Sequence, residues 1–157
     1  MRYSDFRPQI KSGDVIAYTH RGIRSWRDFL IWIVRLFGRT EYCHVAIAWV
    51  TAGRVFLLEA VGSGVRIFPM SLDLPCFHLD AQDLTQPQLE YALSQAGKPY
   101  SYLDCVEGYL GREQGEESHW MCAKYVCKVL GLPCKKTPSD VVAYLLANGS
   151  TLREIQP

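Results

Sequence analysis

No stretch of this 157-residue chain stays apolar long enough to cross a membrane. The most apolar run, Phe29-Leu30-Ile31-Trp32-Ile33-Val34, is flanked by Arg27 and Arg35 and falls well short of the roughly 20 residues a span needs. A buried or partner-facing helix suits it better, with contact at a membrane interface as the second choice. The first residues, Met1-Arg2-Tyr3-Ser4-Asp5-Phe6-Arg7-Pro8, lack the apolar segment and small-residue cleavage site of a secretory signal. A cytoplasmic location is the expectation, with export by another route as the alternative. An excess of either charge is also missing: 17 Lys and Arg face 16 Asp and Glu, a formal net charge of +1. No strong field therefore points to nucleic acid or to an anionic surface. Internal repeats, low-complexity tracts and dividing linkers are absent too, so residues 1–157 read as one domain, long enough to bury a core of its own.

Cysteine is present but not in the setting of a disulfide scaffold. Six cysteines in a chain of this length, without a secretion signal, are expected to be thiols. His119, Cys122, Cys127 and Cys134 have the residue types of a zinc site. On a helix over about 121–130, however, Cys122 and Cys127 would point roughly 140° apart, which makes no cage. Neither a metal nor an organic cofactor is expected.

Strand signals fill the first half. Ser12-Gly13-Asp14 marks a turn before the strand Val15–Thr19. Ser25 and Asp28 resemble a capping box for a helix over Trp26–Phe37. Cys43–Val50 and Val55–Val61 are rich in β-formers and joined by Thr51-Ala52-Gly53-Arg54, which reads as a hairpin. After Gly62-Ser63-Gly64 a third strand, Val65–Phe68, runs to Pro69, and Cys76–Leu79 forms a short fourth. Helices dominate the second half. Thr85-Gln86-Pro87 starts one whose Leu89, Ala92, Leu93 and Ala96 share a face before Gly97. A second carries Cys122 and ends near Gly131-Leu132-Pro133, and a third, capped by Ser139-Asp140, runs to Asn148-Gly149 before an edge strand at Leu152–Ile155.

Two distant stretches carry the chemistry: Tyr42-Cys43-His44-Val45-Ala46-Ile47, and Trp120-Met121-Cys122-Ala123-Lys124-Tyr125-Val126. Most cysteines are small hydrophobes without a role. Cys122 differs by position, because a thiol in the first turn of a helix meets unpaired backbone N–H groups and the positive end of the dipole, both favouring thiolate. Its own N–H is also free to hold an oxyanion. Val126 and Val129 share its side, while Lys124 and Lys128 form a polar stripe.

Among the histidines, His20 and His78 lie beside turns, where solvated or structural roles suit them, and His119 lies in a polar loop. His44 opens an apolar strand on which Ala46, Ala48 and Val50 share its face. A partner for it comes from strand parity. With an even number of residues in the loop after Val50, Val50 pairs with Val55 and Ala46 with Glu59. His44 then lies diagonally from Glu59, about 7 to 8 Å between backbones and within reach of a glutamate side chain. A bulge or an odd loop would flip one of them, leaving an edge glutamate in water.

Ser12-Gly13-Asp14-Val15-Ile16, Cys43-His44-Val45-Ala46-Ile47, Leu58-Glu59-Ala60 and Gly64-Val65 together resemble the strands that carry the histidine in NlpC-type peptidases of the papain-like superfamily. Gly97-Lys98-Pro99-Tyr100 and Trp120-Met121-Cys122 resemble that family's lead-in strand and nucleophile helix. The histidine half precedes the cysteine half, as in the circularly permuted YaeF and YiiX branch, which includes relatives of lecithin retinol acyltransferase. The resemblance implies an α+β fold, an antiparallel sheet or half-barrel packed against helices. It implies Cys122 as nucleophile, His44 as base, Glu59 as the group orienting the imidazole, and Tyr100, or else Tyr102, as a hydroxyl near the oxyanion. Ala46, Ser101 and Ala123 stand where that family commonly has glycine, an acid and serine. The activity implied is acyl transfer through a thioester, on amide bonds of peptides or cell-wall fragments. A lipid thioesterase or acyltransferase, suggested by the Trp26–Phe37 segment, and a non-catalytic binding module are the alternatives.

Overall fold

The structure is a computed structural model that describes residues 1–19, 41–101, 120–133 and 137–157. The Trp26–Phe37 helix, His20, Tyr102, His119, Cys105 and Cys134 lie outside the described residues.

Six antiparallel strands make one sheet: β1 (Val15–Thr19), β2 (Tyr42–Thr51), β3 (Arg54–Val61), β4 (Gly64–Pro69), β5 (Cys76–Leu79) and β6 (Leu152–Ile155). Their spatial order is β4-β3-β2-β1-β5-β6. Local sequence dictates the meander of β2, β3 and β4. Ala52 and Gly53 form a two-residue turn with φ of 49° and 69°, the left-handed pair whose twist matches that of the flanking strands. The parity expected for this hairpin is what the structure has, Val50 opposite Val55 and Thr51 opposite Arg54. Long-range pairing decides the rest, because β5 crosses back to the far side of β1 and β6 adds the outer edge beside it.

Strand alternation sorts the apolar residues into two cores. Val15, Ala17, Val45, Ile47, Leu58 and Ala60 face one, closed by helices α2 (Gln86–Ser94), α3 (Cys122–Leu130) and α4 (Pro138–Ala147). Ile16, Tyr18, Ala46, Ala48 and Leu57 face the other, covered by Phe6 of the short α1 (Tyr3–Phe6), Ile10 and Met70. The helices are fixed to the sheet and to each other by named polar contacts. The Tyr125 hydroxyl of α3 donates to the Ala92 carbonyl of α2 at 3.0 Å, and the Tyr42 N–H of β2 donates to Ser139 Oγ of α4 at 3.0 Å. The N-cap of α4 is Thr137, with Pro138 at the first helical position and Asp140 closing a capping box. This corrects the expected Ser139-Asp140 cap: the hydroxyl that reaches the third N–H is the one ahead of the proline.

Two backbone arrangements link segments distant in sequence. Gly64 has φ of +112°, and a Cβ there would lie 2.7 Å from the Lys98 carbonyl oxygen. That close approach lets Val65 N–H donate to Lys98 O and Gly97 N–H donate to Val65 O, both at 2.9 Å. The β3–β4 turn is thereby fastened to the stretch that leads to Tyr100, which in turn pairs with Trp120. At the other end of the molecule Tyr3 N–H donates to Gln156 O at 2.8 Å and Gln156 N–H to Met1 O at 2.7 Å.

No helix among the described residues is long and apolar enough to cross a membrane.

Candidate active site

Cys122 is the first residue of α3, after Met121 in extended conformation with no side-chain cap. The first intrahelical donor is Tyr125 N–H, to Met121 O at 2.9 Å, so the N–H groups of the opening turn have no partner within the helix. Trp120 is held in front of it by two backbone bonds: Trp120 N–H to Pro99 O at 3.1 Å, and Ser101 N–H to Trp120 O at 2.9 Å. Below Cys122 the helix is anchored by buried Val126 and Val129, with Lys128 exposed on the outer stripe. Gly131, at φ of 66°, ends it in the left-handed conformation.

His44 sits in β2 opposite Tyr18 of β1, with the two ring centroids 5.7 Å apart. Just before it the register shifts, Thr19 facing Tyr42 rather than Cys43. The extra residue reverses the alternation, so Tyr42 belongs to the helix-side core while Cys43 packs against the opposite one. Bulges of this kind re-aim side chains at the edge of a site. Because the bulge precedes His44, the His44–Glu59 parity survives, and the two side chains meet: Nε2 lies 2.7 Å from Glu59 Oε2.

Glu59 is 1% exposed, and a bare carboxylate there would be strongly unfavourable. Both of its oxygens are occupied. Arg66, directly opposite it across β3 and β4, donates through Nε to Oε1 at 2.7 Å. Burial pushes the Glu59 carboxyl up, but the bonds and charges of His44 and then Arg66 outweigh it and hold the group below its ordinary value.

Burial alone would also favour neutral imidazole at His44. Hydrogen bonding to Cys122 and to Glu59, together with their charges, more than reverses this and pushes His44 up to about 10. At neutral pH the ring therefore carries its proton, bridging the carboxylate on one side and the sulfur on the other. Folding thus favours the protonated ring: the stabilisation is complete below the ordinary value of 6.5 and is lost as pH rises from there through about 10. Glu59 has the opposite sign, stabilising above its ordinary value of 4.5 and losing that effect as pH falls through the lowered one. The melting temperature of the wild type is expected to decline from pH 6.5 to 10 more steeply than that of His44→Gln. Parallel curves over that interval would show that His44 titrates as it does in an unfolded chain.

Three of the four expected site residues are thus brought together: His44, Glu59 and Cys122. Tyr100 pairs through its backbone with Trp120, two residues before Cys122, and packs against the helix-side core. Arg66 was not singled out by the sequence reading. Its signal lay in the Gly62-Ser63 turn, which sets Val61 opposite Gly64 and so Glu59 opposite Arg66. Of the solvated and structural roles expected for His78 the structure has the structural one: the ring is 1% exposed, with Nε2 2.7 Å from Asp14 Oδ2. Among the described residues no three His, Cys, Asp or Glu side chains group as a metal site. Cys43, Cys76, Cys122 and Cys127 are thiols outside any disulfide.

No family model matches the chain, and no curated protein does either. Among solved structures it is similar to the metalloprotein YiiX from Escherichia coli O157:H7, with a TM-score of 0.56 at 20% sequence identity over 77% of this chain. The match spans 64% of the YiiX chain, less than two thirds of its length. A likeness at that identity is one of fold, and the α+β architecture of this chain is YiiX-like.

Proposed function

We propose that this chain is a cysteine hydrolase that cleaves amide bonds through a thioester, with peptides of the cell-wall stem type as the substrate class. The observation that carries this is the imidazole of His44 held between Glu59 and the Cys122 side chain, at the uncapped start of a helix. Cys122 attacks the carbonyl carbon as thiolate. The backbone N–H groups of the first turn of α3 hold the oxyanion, with Tyr100 as an additional donor. Protonated His44 gives its proton to the departing amine, then takes one from water as that water attacks the thioester and frees Cys122. Glu59 keeps the ring oriented and offsets its charge throughout.

YiiX is a metalloprotein; the described residues here do not fit a metal ion. The carboxylate beside His44 already bonds the ring and a guanidinium, a cation that would repel a second one. The reaction is accordingly written with the chain's own groups.

Thiol labelling tests the assignment without knowledge of the substrate. An ordinary cysteine, with a pKa of about 8.5, alkylates slowly at pH 6. Iodoacetamide at pH 6 is expected to label Cys122 well ahead of the half-buried Cys43, as read by peptide mass spectrometry, and His44→Gln should remove the preference. Equal, slow labelling of both thiols in the wild type would falsify the assignment.

A further inference from the structure

Glu59 and Arg66 together pose a question that the three-residue site leaves open: why a buried carboxylate that already neutralises an imidazolium should also bind a guanidinium. Arg66 does not need Glu59 in order to be soluble, since its side chain is 41% exposed. Glu59, at 1%, does need partners. Outward from the helix come Cys122, His44, Glu59 and Arg66, and with the thiol ionised their charges alternate, minus, plus, minus, plus. The four sum to zero. Without Arg66 the same row would carry two anions around one cation, in a place where only His44 is in part open to solvent, at 19%. One anion would then tend to take up a proton, because unpaired charge is disfavoured away from water.

We infer that Arg66 is a positioning residue of this site, balancing Glu59 so that the His44 charge is left to serve the Cys122 sulfur. The inference rests on the cysteine-hydrolase reading above and adds a fourth member to it. Geometry suits Arg66 to the role. The antiparallel register sets it directly opposite Glu59, Nε meets Oε1 at 2.7 Å, and the guanidinium carbon lies 4.4 Å from the centroid of the Phe68 ring on the same strand. Stacking on an aromatic face restrains the guanidinium and leaves its charge intact. Among the described residues the groups that act on the charges of this row are its own members, Cys122 and Glu59 on His44 and His44 and Arg66 on Glu59, while Tyr18 of β1 presents its ring to His44 at 5.7 Å.

The test is the pH dependence of iodoacetamide labelling at Cys122, followed by peptide mass spectrometry in the wild type, Arg66→Met, Arg66→Lys, Glu59→Gln and the double variant Glu59→Gln/Arg66→Met. Arg66→Met is expected to move the acid limb of the profile up by about one pH unit, lowering the rate about tenfold at pH values that lie on that limb in both proteins. Arg66→Lys, which restores charge without the planar fork, should recover most of that loss. Because Arg66 acts through Glu59, the effect of Arg66→Met should shrink to less than about threefold once Glu59 is glutamine, a coupling that loss of packing on Phe68 would not produce. An unchanged profile in a folded Arg66→Met protein, or an equal loss in both backgrounds, overturns the role of Arg66 alone. If the wild type itself shows no labelling of Cys122 at pH 6, the hydrolase reading and the role of Arg66 fall together. Should Arg66→Met fail to fold, Arg66→Lys against Glu59→Gln/Arg66→Lys supplies the same comparison.

Discussion

Cys122→Ala is expected to abolish turnover of amide-linked stem-peptide fragments, measured as amine release, while the protein stays folded. The nucleophile supplies the bond that makes the thioester, and nothing else near the start of α3 among the described residues replaces it. Loss of a catalytic nucleophile in comparable hydrolases costs on the order of 10⁶ in kcat. His44→Gln should cost about 10² to 10⁴, the usual worth of a positioned acid and base. Because the two act as one unit, the double variant should be scarcely worse than Cys122→Ala. Full activity in Cys122→Ala would place the chemistry elsewhere. Hydrolysis of acyl esters by the wild type, with no amine release from peptides, would instead favour the lipid alternative, whose motivating segment, residues 26–37, lies outside the described residues.

Asp14→Ala should be strongly destabilising. The carboxylate is 3% exposed. It accepts from Lys11 N–H at 2.8 Å, from Ala81 N–H at 3.3 Å and from His78 Nε2 at 2.7 Å. It thus ties the turn before β1 to β5 and the residues after it. Phe6 covers the far side of His78 edge-on, with ring centroids 4.9 Å apart. Removing the carboxylate leaves the buried His78 ring and the Lys11 and Ala81 N–H groups without their acceptor, at about 1 to 3 kcal/mol for each buried group left unsatisfied, a large share of the total stability of a domain this size. Asp14→Asn, which keeps the shape and part of the accepting capacity, should lose less. The urea midpoint reads both, and a loss below about 1 kcal/mol for Asp14→Ala would mean that water reaches the pair. Gly13 beside it tolerates no side chain: at φ of +106°, a Cβ would press into the Gln82 carbonyl and come within 2.6 Å of Leu84 N.

The β2–β3 hairpin was legible because its information is local. Ala52-Gly53 sets an even loop, the loop sets parity, and parity sets Glu59 beside His44. The Gly62-Ser63 turn holds the same kind of local signal for Arg66, one not drawn on in reading the sequence. His78 was not legible, since its partner Asp14 lies 64 residues earlier and no periodicity connects a turn to a strand at that distance. The order of strands was hidden for a similar reason: β5 and β6 choose the far edge of β1 through pairing across the whole chain. Short α1, only four residues long, carries too few residues to show helical periodicity and exists because Phe6 has a core to enter. The bulge at Cys43 was foreseen only as a hazard to parity; its location on the harmless side of His44 is set by pairing with β1.

Residues 1–3 and 154–156 lie side by side, joined by backbone hydrogen bonds. Bonded through a few added residues, they would turn the chain into a closed ring with the sheet, the helices α2, α3 and α4 and the His44–Glu59–Cys122 cluster undisturbed. Reopening that ring at the exposed start of α2 would read Cys122 first and His44 second. Which half of the site a ribosome makes first is therefore a property of where the ring is cut, and the site itself is indifferent to it.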